Sequence, residues 1–219
     1  QPGDIVVTSE MEHHSNIVPW LRLQEEKGIE VVFLKIPRPA GHPLSVKGDG
    51  GISGINPKKI KLITLTHASN VLGTINPITE IISFFKQQNP QIKFLVDAAQ
   101  SIPHIPIDVN NLGCDFLAFS SHKMLGPSGV GVLWAKKELL AEMDPMLVGS
   151  HMIKTVTKEK ATWAESPDKF ELGTRNLEGV IGFAAAIDYL KNIGMNTIQT
   201  YEQELTQHTL HMFEQMNNV

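Results

Sequence analysis

The sequence predicts an α/β domain in which a mostly parallel β-sheet is sandwiched by helices. Apolar, β-branched runs alternate with segments of helical periodicity along the 219 residues, and this alternation is typical of a layered domain with a parallel sheet. Several runs are apolar at consecutive positions, as expected for strands that are covered on both faces. With 42% hydrophobic and 19% charged residues, the chain can form one substantial core.

The predicted elements follow one another in a regular order. Residues 177–189 are apolar and small, which indicates a buried helix, whereas residues 195–216 have the pattern of an amphipathic helix. Residues 37–57 are rich in Gly and Pro and are interpreted as an irregular excursion. The apolar runs place strands at residues 5–8, 31–36, 62–66, 94–96, 116–120 and 130–135, and the remaining helices are predicted at residues 17–26, 79–88 and 137–143.

The composition argues against several classes of function. The net charge of −4 is scattered, so the basic cluster of Lys58, Lys59 and Lys61 is interpreted as a solvated surface, and no nucleic-acid partner is expected. No run approaches the roughly 20 apolar residues of a membrane span, and no secretory signal opens the chain, so no membrane partner is expected. Cys114 is the only cysteine, which suits a reducing compartment. We expect a cytoplasmic protein, with an organelle as the alternative.

Residues 119–127, Phe-Ser-Ser-His-Lys-Met-Leu-Gly-Pro, carry the strongest local signal. They place Lys123 at the carboxyl end of a predicted strand, where open α/β sheets bind ligands. A lysine held there beside His122 can lose its proton more readily and act as an amine nucleophile. Ser120 and His122 can donate hydrogen bonds to a phosphate. Taken alone, the motif fits a surface lysine in a turn equally well.

Residues 94–100, Phe-Leu-Val-Asp-Ala-Ala-Gln, form a second strand-end motif. An unpaired charge at the end of an apolar strand is costly, so Asp97 is expected to have a fixed cationic partner. The pyridinium nitrogen of pyridoxal 5'-phosphate (PLP) is such a partner, because it needs a carboxylate to remain an electron sink. Gln100, one turn later, can reach the phenolic oxygen of the same cofactor. Taken alone, Asp97 favours the simpler interpretation of an N-cap for a following helix.

Two further polar segments follow predicted strands, at residues 9–16 and 66–73. The first contains His13, whose flat imidazole can stack on an aromatic cofactor and move protons near neutral pH. Its neighbour His14 raises the possibility of a metal, but no Cys or further His lies at suitable spacing, so no metal is predicted. The second contains Asn70, whose amide suits recognition of a substrate carboxylate, although a lone Asn is more often a turn residue.

The four motifs together are more specific than any one of them. They are predicted to share one edge of the sheet, and this constellation resembles the fold-type I PLP-dependent transferases of aminotransferase class V. The segments Met-Glu-His-His-Ser-Asn-Ile-Val-Pro-Trp, Thr-His-Ala-Ser-Asn-Val-Leu-Gly-Thr, Val-Asp-Ala-Ala-Gln and Ser-Ser-His-Lys-Met-Leu-Gly-Pro resemble the group II cysteine desulfurases, which include selenocysteine-lyase-like members. The resemblance covers nearly the whole chain.

This resemblance implies a role for each candidate residue. Lys123 would bind PLP covalently, and Asn70 would meet the substrate carboxylate. The segment Phe-Glu-Leu-Gly-Thr-Arg-Asn at residues 170–176 matches one in which Thr174 reaches the phosphate of a partner subunit, which implies a homodimer. The remaining cofactor contacts would come from His13 stacking on the ring, Asp97 at the pyridine nitrogen, Gln100 at the phenolic oxygen, and Ser120 and His122 at the phosphate.

The chain differs from the family in several features, and these differences change the activity that we expect of it. Relatives carry an earlier phosphate-binding loop, and a C-terminal domain with an arginine and a mobile sulfur-accepting cysteine. We therefore expect residues 1–176 to be the central part of a PLP-binding large domain and residues 177–219 to lead toward a small domain. Cys114 matches a position before a strand and is expected to pack in the core. Arg175 stands where relatives have a proline, which alters the backbone of that turn.

The resemblance implies a reaction as well as a cofactor. The implied activity is removal of sulfur from L-cysteine, which gives L-alanine and an enzyme-bound persulfide that passes to a sulfur-acceptor protein, as in iron–sulfur cluster assembly and sulfur mobilisation. Selenocysteine lyase, acting on L-selenocysteine, or another class V aminotransferase reaction is the enzymatic alternative. A catalytically silent fragment or scaffold is the alternative of a different class, and we expect this stretch alone to be incomplete and inactive.

Overall fold

The computed structural model describes residues 1–36, 42–44 and 54–216. In chain order the elements are β1 (Ile5–Ser9), α1 (Val18–Lys27), β2 (Glu30–Leu34), β3 (Ile60–Thr66), α2 (Ile78–Gln88), β4 (Lys93–Asp97), α3 (Val109–Leu112), β5 (Phe116–Ser120), β6 (Gly131–Ala135), α4 (Lys137–Glu142), β7 (Ile153–Val156), β8 (Ala161–Trp163), α5 (Leu177–Ile193) and α6 (Met195–Glu214). Short 3-10 turns lie at His14–Asn16, Pro57–Lys59, Ser121–Met124 and Asp168–Phe170.

Within the described residues, six strands form the central sheet, in the order β2-β1-β3-β4-β5-β6. The first five are parallel, which confirms the mostly parallel α/β sheet, and β6 runs antiparallel to β5. From β1 the chain passes through α1 to β2 on one side, and it then returns to β3 on the other side of β1. The strand order therefore reverses between β1 and β3, and ligands of open α/β sheets bind at such reversals.

The core lies on both faces of the central strands. All five residues of β1 are buried, and so are four consecutive residues at the end of β3. Helix α2 covers one face because its buried residues recur at helical spacing, at Ile78, Ile81, Ile82 and Phe85. Burial of these side chains is the main force that holds α2 on the sheet.

A buried carboxylate links several elements at the edge of the sheet where the parallel strands begin. Asp115, which precedes β5 and is 2% exposed, accepts hydrogen bonds from the Phe94 backbone at 2.9 Å and the Lys136 Nζ at 2.7 Å. Lys86 of α2 approaches the same group at 3.4 Å. Burial alone would raise the pKa of Asp115, but the Lys136 and Phe94 hydrogen bonds and the two lysine charges outweigh it and lower the pKa.

Several predicted features differ from the structure. The strand at β6 was predicted but its antiparallel direction was not, and neither were the single-turn helix α3 and the hairpin β7–β8. Helix α5 was expected to be buried, yet it buries only the face formed by Gly179, Phe183, Ala186 and Leu190 and exposes Ile181 by 70%, because only that face packs on the chain. Of the excursion at residues 37–57, residues 37–41 and 45–53 lie outside the described residues.

No helix within the described residues combines the length and the apolar character needed to cross a membrane.

Candidate active site

Four parallel strands bring the predicted polar segments to one edge of the sheet. Strands β1, β3, β4 and β5 are consecutive neighbours with the same direction, so the residues that follow them all lie at their carboxyl ends. In register, Thr66 pairs with Asp97, and Asp97 pairs with Ala118. The segments that contain His13, Asn70, Asp97 and Lys123 therefore share this edge, at and beside the reversal of strand order.

Lys123 lies on the 3-10 turn directly after β5. Its side chain is half-buried, and within the described residues its amine has no ion pair or hydrogen bond. Ser120, the last residue of β5, is half-buried and pairs with Gly131, whereas His122 is exposed. The amine is therefore held at the strand end without a competing charge.

The turn that carries Lys123 is fixed from both sides. The Ser121 backbone donates to the Val130 carbonyl at 3.0 Å, and its hydroxyl donates to the Pro127 carbonyl. The Gly126 backbone donates to the Ser121 carbonyl at 2.9 Å. Leu125 closes the turn in the left-handed region, with φ +60°. A turn constrained in this way holds the lysine in one place before any ligand arrives.

Helix α5 packs directly against the lysine turn. Met124 lies in a buried cluster with Phe183, Ala186 and Leu190 of α5. A Cβ on Gly126 would come within 2.9 Å of the Phe183 ring, and a Cβ on Gly182 would come within 2.7 Å of the Pro127 ring. Glycine is required at both positions because the helix and the turn approach so closely.

Asp97 ends β4 and uses one of its oxygens to shape the backbone that follows. Its Oδ1 accepts a hydrogen bond from the Ala99 backbone at 2.9 Å, which forms an Asx turn. The segment continues as turns up to α3, so the N-cap interpretation does not apply. Within the described residues Asp97 has no cationic partner, and its other carboxylate oxygen remains available to one.

Asn70 and Gln100 line the same pocket. The pocket has a volume of about 590 Å³ and lies between the loops after β3 and β4 and helix α6, whose Gln199, Glu202 and Gln203 form the opposite wall. A His104 Nδ1 contact to Glu202 at 2.8 Å joins the β4 loop to α6 beside it. The pocket therefore presents several amides and other polar side chains beside an apolar lining.

Ser69 organises the loop that presents Asn70. Its hydroxyl accepts hydrogen bonds from the backbones of Val71 at 3.3 Å and Leu72 at 3.1 Å, and its carbonyl accepts from Gly73 at 3.1 Å. Asn70 is left exposed at the tip. The alternative interpretation of Asn70 as a turn residue therefore does not apply, because the side-chain hydrogen bonds of this turn are made by Ser69.

His13 lies at the start of the 3-10 turn after β1 and is exposed. Its Nδ1 accepts a hydrogen bond from the Ser15 backbone at 3.2 Å and lies 2.8 Å from the Ser15 hydroxyl. The neutral ring therefore carries its proton on Nε2, which is left to face a ligand. His14 lies beside it with ring centroids 6.1 Å apart. Within the described residues no three His, Cys, Asp or Glu side chains form a metal-binding group.

Three residues that the sequence analysis singled out, Thr174, Arg175 and Cys114, lie away from these segments. Thr174 is exposed in a separate depression of about 420 Å³ that also involves His151 and Arg175. Arg175, which stands in place of the family's proline, donates to Asp168 at 2.6 Å. Cys114 is fully buried in the core, and burial raises the pKa of its thiol to about 11, so the thiolate needed for reactivity is scarce at neutral pH.

The sequence motifs also contain buried polar residues to which no role was assigned. Glu12 and Asn16 are 7% and 5% exposed, and His67 is 8% exposed. Burial lowers the pKa of His67, and its Nδ1 has no hydrogen-bond partner within the described residues. No local sequence pattern marked Glu12 and Asn16, because their burial depends on distant contacts such as that of Asn16 with Thr64 of β3.

The comparisons with known proteins agree with this architecture. The Aminotransferase class-V family profile matches residues 1–219. A cysteine desulfurase of Salmonella newport is 41% identical over 218 residues, which are 99% of this chain and 52% of that protein. The crystal structure of the Escherichia coli cysteine desulfurase CsdA, in an S-sulfonic acid form, superposes with a TM-score of 0.89 at 35% identity and covers 99% of this chain and 52% of that one.

A mutant of the protein C-DES, with glycine covalently linked to its PLP cofactor, superposes with a TM-score of 0.81 at 26% identity and covers 100% of this chain and 56% of that one. The chain thus spans about half the length of the curated relatives it matches. A family match over residues 1–219 and a shared fold lead to one conclusion: this chain belongs to the aminotransferase class-V family.

Proposed function

We propose that this chain is part of a PLP-dependent cysteine desulfurase, which removes sulfur from L-cysteine and leaves L-alanine and protein-bound persulfide sulfur. The observation that carries the proposal is the convergence of Lys123, Asp97, Asn70 and His13 at the carboxyl ends of four neighbouring parallel strands. The relatives that this chain matches over about half of their length are named cysteine desulfurases. These names support the choice of reaction.

The donor set at this edge fits PLP. The cofactor needs an amine for its aldehyde carbon and a carboxylate for its pyridine nitrogen. Lys123 offers a half-buried amine without a competing ion pair in the described residues, and Asp97 offers a carboxylate oxygen that the Asx turn leaves unused. The remaining contacts come from Gln100 at the phenolic oxygen and from Ser120 and His122 at the phosphate.

The protein side chains orient the substrate and move its protons. When bound, PLP supplies an electron sink that makes the Cα proton of an attached amino acid acidic. Asn70, presented by the Ser69 turn, binds the substrate carboxylate. With the cofactor bound, His13 would lie against its ring and exchange protons through Nε2, and the Nζ of Lys123 would accept the Cα proton.

Transfer of the sulfur requires a thiolate nucleophile. Cys114 is the only cysteine in this chain, and its burial excludes it from that role. We therefore assign the sulfur-accepting thiolate to a part of the protein outside these residues, and propose that a sulfur-acceptor protein of iron–sulfur cluster assembly receives the persulfide. Cytoplasmic localisation remains a prediction.

We further propose that the protein is a homodimer with shared sites. Thr174 lies in a depression separate from the pocket that Asn70 and Gln100 line, which supports a role for Thr174 at the phosphate of the partner's site. Residues 1–176 are assigned to the PLP-binding large domain and residues 177–219 to the connection toward a small domain.

The function is tested with the full-length protein that contains this chain. Alanine formation from L-cysteine is measured in the presence of PLP, with L-selenocysteine in parallel, and Lys123→Ala is expected to lower the rate by at least about a hundredfold because it removes a general base. Lys137→Ala, an exposed lysine on α4, is the control. Preference for L-selenocysteine would favour the lyase, and absence of turnover on both substrates would contradict the proposal and favour a silent scaffold.

A further inference from the structure

A chain of buried hydrogen bonds ties the loop that carries His13 to strand β3. The Ser9 hydroxyl donates to Glu12 Oε1 at 2.5 Å, and the Asn16 Nδ2 donates to Glu12 Oε2 at 2.7 Å. Asn16 Oδ1 in turn accepts from the Thr64 hydroxyl of β3 at 2.5 Å. All four side chains are at most 7% exposed. The chain of bonds thus crosses from β1 to β3, where the strand order reverses, and its members Glu12 and Asn16 flank the exposed His13 along the sequence.

The directions of these bonds leave one place for a proton. Asn16 Oδ1 accepts from both the Thr64 hydroxyl and the Trp20 indole, the latter at 3.4 Å, so its Nδ2 must face Glu12. Glu12 Oε2 is therefore an acceptor, whereas Oε1 faces the Ser9 hydroxyl, which can donate or accept. Glu12 can therefore hold a proton at Oε1 if the Ser9 hydroxyl turns from donor to acceptor, and the other bonds of the chain stay as they are.

The charges around Glu12 favour that proton. Burial raises the pKa of Glu12 to about 7, the negative charge of Asp97 adds to this effect, and hydrogen bonding from Ser9, the Thr66 backbone and Asn16 opposes it. Glu12 is the more deeply buried of these two neighbouring carboxyl groups, so it is the one expected to hold a proton.

We propose that Glu12 is a positioning residue, which with Asn16 locks the His13 loop onto β3 and thereby fixes the His13 ring relative to Asp97. The inference rests on the proposed function for the roles of His13 and Asp97. The bonded chain leaves His13 little freedom, because its neighbours on both sides are fixed and its Nδ1 is bound to Ser15. Stacking on a cofactor then needs no rearrangement of the loop.

The test compares Glu12→Ala, which removes the chain of bonds, with Glu12→Gln, which keeps it in neutral form. Amide hydrogen exchange of the cofactor-free protein is measured at residues 11–16 and at β5, together with the PLP dissociation constant. In Glu12→Ala we expect exchange at residues 11–16 to accelerate and PLP affinity to fall by about tenfold each, because buried donors lose their partner. Exchange at β5 should not change. Glu12→Gln should remain within about twofold on both measurements, since its amide replaces the protonated acid.

Matched variants separate this role from general destabilisation. Glu25→Gln, an exposed glutamate on α1, is expected to change neither measurement. If Glu12→Ala does not fold, Ser9→Ala, which removes the Oε1 partner and also the acceptor of the Met11 backbone amide, should give the same acceleration at residues 12–16 to a smaller extent. Unchanged exchange and unchanged PLP affinity in Glu12→Ala would overturn the inference. So would an acceleration of exchange that is equally large at β5. A Glu12→Gln variant that fails to preserve exchange and PLP affinity would also overturn it.

The two proposals fail separately. The exchange measurement needs no cofactor, so it judges the lock on the His13 loop even if Lys123 proves not to bind PLP. Conversely, accelerated exchange with unchanged PLP affinity would overturn the positioning role of Glu12 and would leave the proposal that Lys123 binds PLP intact.

Discussion

The buried carboxyl group of Glu12 makes the stability of the folded chain depend on pH. The pKa of Glu12 rises from 4.5 to about 7 on folding, so between these pH values the native state binds more protons than the unfolded state. The contribution of this group to the free energy of unfolding is therefore fully present below pH 4.5. It is lost as the pH rises through about 7. At 1.36 kcal/mol per unit, the loss is about 3 kcal/mol.

Glu12→Gln is expected to abolish this dependence. Urea unfolding of the cofactor-free protein at pH 5 and pH 8 should show the variant gaining about 2–3 kcal/mol relative to the native sequence across that interval. The comparison with the native sequence cancels the opposite trend of groups such as Asp115, whose pKa is lowered on folding. Glu25→Gln is the control and should follow the native sequence. Parallel curves for native protein and Glu12→Gln would mean that Glu12 is ionised in the fold.

The positions of the site segments could be predicted from sequence, whereas the residues behind them could not. Lys123 and Asp97 each follow an apolar run, so their placement at strand ends follows from local pattern alone. Glu12 and Asn16 lie in equally polar sequence, and their burial depends on Thr64, which is 48 residues from Asn16 along the chain. The sequence predicted a cationic partner for Asp97. It did not reveal the Asx turn, in which one carboxylate oxygen of Asp97 accepts a hydrogen bond from the Ala99 backbone.

At the scale of elements, helix α5 supports the turn that carries Lys123. Phe183 is 6% exposed, packs with Met124 and contacts Phe119 with ring centroids 6.4 Å apart. Phe183→Ala would leave a cavity beneath the turn and is expected to lower the free energy of unfolding by about 3 kcal/mol. Tyr189→Ala, on the exposed side of the same helix, should change it by no more than about 0.5 kcal/mol.

Denaturant unfolding of the two variants checks this prediction, and PLP binding supplies a second measurement. Because the Lys123 turn rests on Phe183, cofactor affinity should fall in Phe183→Ala and not in Tyr189→Ala. Equal losses of stability in both variants would show that α5 does not support the turn.

The elements themselves were predictable to the extent that their patterns are local. Strands β1 to β5 and helices α1, α2, α4, α5 and α6 lie within a few residues of their predicted bounds, because apolar runs and helical spacing are properties of short windows. The hairpin β7–β8 was missed because its residues are almost all exposed and give no apolar alternation. The antiparallel direction of β6 depends on its pairing with β5, which no local pattern encodes.

At the scale of the molecule, α5 presents an apolar face that the described residues do not cover. Leu177, Val180, Ile181 and Tyr189 are each between 52% and 70% exposed, and a contiguous exposed apolar surface favours association. We expect the isolated 219-residue chain to associate with itself, which is also a requirement of the proposed homodimer.

Sedimentation of Ile181→Gln checks this expectation. The variant removes the most exposed side chain of that face and should shift the chain toward the monomer, whereas Glu178→Gln, an exposed polar position on the same helix, should not. A native chain that sediments as a monomer at all concentrations would contradict the expectation.

The central claim, that Lys123 holds the cofactor at the strand-end edge, is tested most directly by covalent labelling. The chain is incubated with PLP, reduced with borohydride and mapped by peptide mass spectrometry, with Lys123→Ala and Lys137→Ala in parallel. We predict one labelled peptide that contains Lys123, lost in Lys123→Ala and retained in Lys137→Ala. Labelling of another lysine in the native chain, or labelling that persists unchanged in Lys123→Ala, would contradict the claim.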